Sequence, residues 1–334
     1  MLWSAWRERR IDPEEAPLAG AAGHVRLVGM TEPDVVDEAA TTGAPHRCGL
    51  VTLLGRPNAG KSTLLNHLLG EKIAAVTPKP QTTRSQLMGI VTREGSQILL
   101  LDTPGLHEGS KPLDIAMRDA VTRATEDCDV AVLLIDAAAG YEPVHAEWLA
   151  RLSTRGIPVL LVATQIDRPE CARAPWPPPD TEAAAATLRI SARTGNGVEA
   201  FVAEILSRLP EGPPHFPADQ LTDRPMRFVA AEFVREAAFL ELSQELPYRL
   251  AVDLIEFDEG DPLLTRIRAN LLVERDSQKR IAIGTGGERI RAIGTRARGE
   301  IERLLGHQVF LDLRVKVDPA WAKQAKRLKS LGYR

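Results

Sequence analysis

Short apolar runs alternate along the chain with stretches whose apolar residues recur every three to four positions. The runs at 49–54, 97–101, 130–135, 158–163 and 188–190 are rich in Val, Leu and Ile and end in turn residues, as strands buried on both faces do. The stretches at 61–69, 112–125, 144–154 and 198–209 each carry one apolar face and read as amphipathic helices. A repeat of strand and helix requires a mostly parallel sheet covered on both sides, so the pattern predicts a doubly wound α/β domain over 47–210. The prolines between 168 and 181 exclude regular structure there and predict a surface loop.

A Pro/Gly cluster at 210–217 ends the repeat and marks a linker over 211–226. The pattern then changes to a helix over 227–244, strands near 250–257, 265–275 and 279–283, and a helix over 289–305. This is an α+β module occupying 227–334. Residues 1–46 sustain neither period and mix Gly, Pro and scattered acids, which reads as a disordered extension.

Composition narrows the class without naming a chemistry. The 334 residues suit about two domains, and 44% hydrophobic with 26% charged residues is ordinary for a soluble globular chain. No apolar run is long enough for a membrane span, and Arg7, Arg9 and Arg10 have no apolar segment beside them to make a secretory signal. Cys48, Cys128 and Cys171 lie far apart, in no metal-ligand spacing, which points to a reducing, cytoplasmic home. The net charge of −3 hides an asymmetry: residues 263–334 hold 17 Lys and Arg against 7 Asp and Glu, leaving 25 against 38 for residues 1–262. A basic end of this kind fits a polyanion, and equally a solvated helical surface, so a motif must decide.

The first motif does so. Gly55-Arg56-Pro57-Asn58-Ala59-Gly60-Lys61-Ser62-Thr63 fills the pattern GxxxxGK[ST], with a strand before it and a helix after it. Gly55 and Gly60 let backbone N–H groups turn inward around phosphates, Lys61 reaches the β- and γ-phosphates, and Ser62 ligates Mg²⁺. At the end of a later strand, Asp102-Thr103-Pro104-Gly105 supplies an acid for the same Mg²⁺ and, at Gly105, an N–H that senses a γ-phosphate. Taken alone that tetrapeptide is a common turn. Gln81-Thr82-Thr83-Arg84 lies in the intervening polar loop, where the Thr83 hydroxyl can close over the metal. Thr164-Gln165-Ile166-Asp167 and Ser191-Ala192-Arg193-Thr194-Gly195-Asn196-Gly197 end two further strands, where an open parallel sheet binds a base.

In the C-terminal module, Gly284-Thr285-Gly286-Gly287 makes a GxxG turn that opens a helix, flanked by Arg289, Arg291, Arg296 and Arg298. GxxG alone is usually only a turn. Beside a surplus of positive charge it becomes the loop with which K-homology modules clamp single-stranded RNA. The candidate RNA contacts are Lys279, Arg280, Gly284, Thr285, Gly286, Gly287, Arg289 and Arg291.

The five loops of the first domain resemble those of translation-factor-like P-loop GTPases. With QELPY, VERDSQKR, IGTGGERIRAIGTRAR and the ending LGYR, the chain over 47–334 resembles the Era GTPases, which join such a domain to a type II K-homology domain. The resemblance implies that Asp167 accepts the guanine N1–H and amine, and that Thr164, Gln165 and Ile166 complete the base loop. It gives the Ser191-Ala192 backbone to the guanine carbonyl. Thr164 and Gln165 stand where that class has Asn and Lys, so guanine preference rests on Asp167, with reduced affinity. Leu106 stands where Ras-like GTPases carry a water-orienting Gln, and Asn58 where related GTPases coordinate K⁺, which implies slow intrinsic hydrolysis aided by K⁺ or a partner. The resemblance further implies a cytoplasmic monomer using Mg²⁺ and GTP/GDP, with peripheral association with the inner membrane. Its expected partners are the 3′ end of small-subunit ribosomal RNA and the small ribosomal subunit. Two readings stay open at this level: a hydrolytic switch, and an RNA-binding assembly scaffold whose nucleotide site is relaxed or non-hydrolysing. An ATPase is disfavoured because Asp167 would meet an acceptor on adenine.

Overall fold

The computed structural model describes residues 46–106, 112–171 and 175–333, so the extension expected over 1–46 lies, apart from His46, outside the described residues. Six strands form the first sheet: β1 (Arg47–Gly55), β2 (Leu87–Arg93), β3 (Ser96–Asp102), β4 (Val130–Asp136), β5 (Val159–Thr164) and β6 (Ala186–Arg189). Their order is β2-β3-β1-β4-β5-β6, all parallel except β2. Helices α1 (Lys61–Leu69), α2 (Pro112–Ala124), α3 (Pro143–Thr154) and α4 (Val198–Leu206) cover it. Leu53, Leu133, Leu134, Leu160 and Val162 are wholly buried, which explains why these strands read as continuous apolar runs.

The second sheet has the order β7-β8-β9, from β7 (Leu250–Asp261), β8 (Leu264–Val273) and β9 (Gln308–Val317), with β9 parallel to β8. It packs with α5 (Met226–Glu241), α6 (Asp276–Ile283) and α7 (Glu288–Leu305), and α8 (Ala325–Ser330) follows. Among the described residues no helix is long and apolar enough to cross a membrane.

One predicted strand is a helix, and three elements, β2, β9 and α8, lie outside the predicted pattern. β2 was absent from the pattern because Gly89 interrupts its apolar run; the missing side chain there admits Leu65 of α1. The strand expected over 279–283 is the helix α6, whose start Gln278 caps by accepting the Glu274 and Arg275 N–H groups at 2.9 and 3.0 Å. The GxxG turn therefore joins two helices. β9 and α8 were not expected at all. The stretch at 211–226 is fastened to the first sheet: Gln97 of β3 accepts from the His215 and Phe216 N–H groups at 2.8 and 3.0 Å and donates to the Phe216 carbonyl at 2.8 Å. Ile90 of β2 donates to the Leu221 carbonyl at 2.9 Å, so the connection runs along the sheet.

Candidate functional site

β1 ends at Gly55, whose φ of 152° turns the chain back and whose missing side chain admits the Leu134 carbonyl. Gly60, at φ 89°, then delivers Lys61 as the first residue of α1. Lys61 is 5% exposed, and its Nζ donates to the Gly55 and Arg56 carbonyls at 2.9 and 3.0 Å. Burial pulls its pKa down to about 8, against the pull of the Asp102 carboxylate. An ammonium resting on carbonyls of the loop it serves can exchange them for phosphate oxygens. The Arg56 side chain turns away and pairs with Glu142 at the start of α3.

Three oxygen-bearing side chains meet beside Lys61. Ser62 Oγ donates to Asp102 Oδ2 at 2.6 Å, and the Thr83 hydroxyl stands 2.8 Å from that of Ser62. Burial raises the Asp102 carboxyl to about 6, although Lys61, Ser62 and Thr83 favour its ionised form. Its Oδ1 is buried and without a hydrogen-bond partner. A buried carboxylate with one oxygen unused and two hydroxyls beside it fits a hard divalent cation such as Mg²⁺.

The rest of the Asp102–Leu106 segment braces this corner. Thr103 Oγ1 donates to the Leu53 carbonyl at 2.7 Å, and the Leu106 N–H to Gly55 O at 2.9 Å. Pro104 and the Leu106 side chain are buried, the latter against Leu54 and Val121. Gly105 passes so near the phosphate loop that a Cβ would stand 2.7 Å from the Pro57 nitrogen.

At the base end, Thr164 Oγ1 lies 2.9 Å from the carbonyl of Ala59, and Gln165, in left-handed conformation at φ 59°, donates to the Asn58 carbonyl at 2.9 Å and to Asp136 at 3.0 Å. Both substituted positions thus still tie the base loop to the phosphate loop. Ile166 packs inward near Ala163 and Cys171. Asp167 accepts from Ser191 Oγ at 2.6 Å and pairs with Arg193; the Ser191 bond chiefly holds its carboxyl below the usual range. The Ser191 N–H is committed to the Asn196 carbonyl at 2.9 Å, so of the expected backbone pair only Ala192 faces the cavity. That cavity, about 470 Å³, runs from Lys61 and Thr83 past Asn58 and Gln165 to Asp167, a size that suits a nucleotide.

The loop that carries Thr83 is held mostly by the other half of the molecule. Lys79 Nζ donates to the Phe239 and Leu242 carbonyls, and the Thr82 carbonyl accepts from Arg235 of α5. Arg84 is buried, donates to Leu250 O at 2.7 Å and Pro247 O at 3.1 Å, and lies over the Phe239 ring. Ser85 Oγ donates to the Gly332 carbonyl at 3.2 Å. Lys72, further back, pairs with Glu236 of α5 and Glu300 of α7 at 2.9 and 3.3 Å. Sequence reasoning missed Lys72, Lys79 and Arg235, and saw Arg84 only as part of a polar loop.

In the C-terminal module, Gly284, Gly286 and Gly287 all take positive φ (74°, 56° and 81°), a turn that side chains would strain. Arg289 donates to Ile281 O at 3.1 Å and Arg291 Nε to Gly287 O at 3.2 Å, so both brace the turn. Lys279 and Arg280 sit on α6, the helix that leads into it. A groove of about 390 Å³ continues between α7 and β9, lined by Arg291, Gly294, Thr295, Arg298, Phe310 and Leu311. The spacing of 291, 294, 295 and 298 on one helix face was the available signal for the residues of α7.

Residues 50–165 match the family described as 50S ribosome-binding GTPase, and residues 245–322 match the KH domain family. The chain is 44% identical to GTPase Era of Stenotrophomonas maltophilia strain K279a over 294 residues, covering 86% of this chain and 98% of that protein. It is 42% identical to GTPase Era of Xylella fastidiosa strain M12, over 88% and 99% of the two chains. Among solved structures, Era in complex with MgGDPNP and nucleotides 1506–1542 of 16S ribosomal RNA superposes with TM-score 0.82 at 36% identity, covering 86% of this chain and 99% of that one. A single-residue variant of Aquifex aeolicus Era bound to GDP.AlF4- gives TM-score 0.79 at 35% identity, with the same coverage.

Proposed function

Because the chain belongs to the GTPase Era family, we propose that it is a GTP-hydrolysing switch that binds the 3′ end of small-subunit ribosomal RNA and assists assembly of the small ribosomal subunit in the cytoplasm. The observation that carries this reading is the loop from Lys79 to Ser85, which presents Thr83 to the metal corner and is anchored to the RNA-binding half by its neighbours.

In this reading Lys61 leaves the Gly55 and Arg56 carbonyls for the β- and γ-phosphate oxygens, while Ser62, Thr83 and Asp102 hold Mg²⁺. The metal, when bound, neutralises charge that builds on the phosphate oxygens. The Gly105 N–H faces the γ-phosphate. Asp167 takes the guanine N1–H and amine, and the Ala192 N–H the guanine carbonyl. Leu106, buried in the core, occupies the place of a water-orienting glutamine and cannot position water, so intrinsic turnover is slow. Asn58, whose Nδ2 donates to the Pro78 carbonyl at 2.9 Å, joins the phosphate loop to the Thr83 loop where K⁺ would add positive charge. Loss of the γ-phosphate releases Thr83, and the change passes through Thr82 and Arg84 into α5 and the start of β7. The groove between α7 and β9 takes the RNA, with the turn at Gly284–Gly287 against its backbone.

The test is displacement of a fluorescent GDP analogue by GDP, ADP and XDP, in K⁺ and then Na⁺ buffer. Selective displacement by GDP is expected. Equal displacement by all three supports instead an RNA-binding scaffold with a relaxed nucleotide site.

A further inference from the structure

We propose that Arg193 is an internal competitor of the nucleotide base, occupying the Asp167 carboxylate until guanine displaces it; this rests on the nucleotide-site reading above. Asp167 has both oxygens engaged, Oδ1 by the Ser191 hydroxyl at 2.6 Å and Oδ2 by Arg193. The serine bond is compatible with a base, because each carboxylate oxygen accepts more than one hydrogen bond. The arginine pair competes, because a guanidinium on Oδ2 engages the carboxylate as a planar edge of donors would, and Arg193 lines the same cavity. The Asp167 side chain is 13% exposed and the Arg193 side chain 75% exposed, so the arginine reaches inward from the rim. Both residues line the nucleotide cavity.

The mimicry is chemical. Guanine offers a carboxylate a planar edge of adjacent N–H donors, from N1 and the C2 amine, and a guanidinium offers the same planar donor set. Nearby arginines do not share the role: Arg168 pairs with Asp136 at 3.3 Å, and Arg189 donates to the Cys171 carbonyl at 2.9 Å. The turn that carries Arg193 is independently fastened, with Ser191 N–H on Asn196 O and Gly195 N–H on Ser191 O, both at 2.9 Å. Arg193 can therefore leave by side-chain rotation alone, without moving Ser191 or Ala192.

Competition of this kind acts on the free protein. It slows nucleotide association and leaves dissociation almost unchanged. Because an exposed ion pair is weak, the effect on affinity is about two- to fivefold.

The experiment is stopped-flow association and dissociation of a fluorescent GDP analogue with the full chain and its Arg193→Ala variant. The expected result is an association about two- to fivefold faster in the variant, with an unchanged dissociation rate. Unchanged or slower association, or an effect confined to dissociation, overturns the proposal, the latter because it would mean that Arg193 stacks on the bound base. A second arm places Arg193→Ala in an Asp167→Asn background and measures a fluorescent XDP analogue, whose C2 carbonyl suits the amide. With the carboxylate gone, Arg193→Ala should change nothing. An effect that persists there reflects general attraction or repulsion of the phosphates and overturns the proposal. Absence of GDP binding by the parent chain would overturn both this and the nucleotide-site reading; GDP binding without an Arg193 effect overturns this one alone.

Discussion

Arg84→Met tests whether the nucleotide and RNA sites communicate through the Thr83 loop. The substitution keeps an apolar stem beneath the Phe239 ring and removes the two bonds to Leu250 O and Pro247 O, at 2.7 and 3.1 Å. Hydrogen bonds from a charged donor are worth about 1.5–3 kcal/mol each. The guanidinium is wholly buried, and burial pulls its pKa down, so removing it also relieves a desolvation penalty. The net weakening of the anchor is then about 2–4 kcal/mol. Coupling between two ligands typically spans about 1–3 kcal/mol, or roughly 5- to 150-fold in affinity, so a loss of this size is enough to erase it. The assay is RNA affinity by fluorescence anisotropy, with a non-hydrolysable GTP analogue and with GDP, in parent and variant. The ratio of the two affinities should fall toward one in Arg84→Met. Reciprocity supplies an internal check: the change that RNA makes in the preference for the GTP analogue over GDP must fall by the same factor. If a cooperatively folded variant retains the parent's ratio, coupling does not pass through Arg84.

Three further outcomes are expected. Lys61→Ala should weaken GDP and GTP binding at least about tenfold in the displacement assay while leaving RNA affinity in the absence of nucleotide unchanged, because among the described residues Lys61 Nζ donates to the phosphate loop alone. Gly287→Asp should weaken single-stranded RNA binding at least about tenfold in a filter-binding assay, since a Cβ there stands 3.7 Å from the Arg291 guanidinium and an acid would both pair with it and repel phosphate. Gln165→Lys should change GDP affinity by less than about threefold and Gln165→Ala should weaken it about fivefold, because the amide already makes the reach to Asn58 O that is worth about 1 kcal/mol.

What could be read from the sequence was what the chain builds from contiguous residues. The phosphate loop is one such segment: Gly55, Gly60 and Lys61 are dictated by local backbone needs and by the strand and helix that flank them. Asp102, Asp167 and Ser191 could be assigned to one end of the sheet because strand ends in a parallel sheet converge in space, whatever their distance in sequence. The anchor of the Thr83 loop was invisible for the opposite reason. Arg84 bonds backbone carbonyls, and any residue could supply those, so nothing at 247 or 250 advertises the contact. The helix α6 was misread because Ile281 and Ile283 alternate with Ala282 as a strand would, whereas only Ala282 is buried and the Gln278 cap sets the helix. β9 was legible and overlooked: Val309, Leu311, Leu313, Val315 and Val317 alternate with polar or exposed positions over its whole length.

β9 has a further consequence. It is bonded to β8 on one side and forms the margin of its sheet. An open margin of backbone donors and acceptors is an invitation to any passing strand, and proteins that leave one bare tend to zip together. Here the exposed positions include Arg314, paired with Asp312 of the same strand at 2.8 Å, and Lys316. An approaching strand would have to pack beside that salt bridge and the Lys316 ammonium. Charge placed on the open margin thus works against strand-to-strand pairing of the protein with itself.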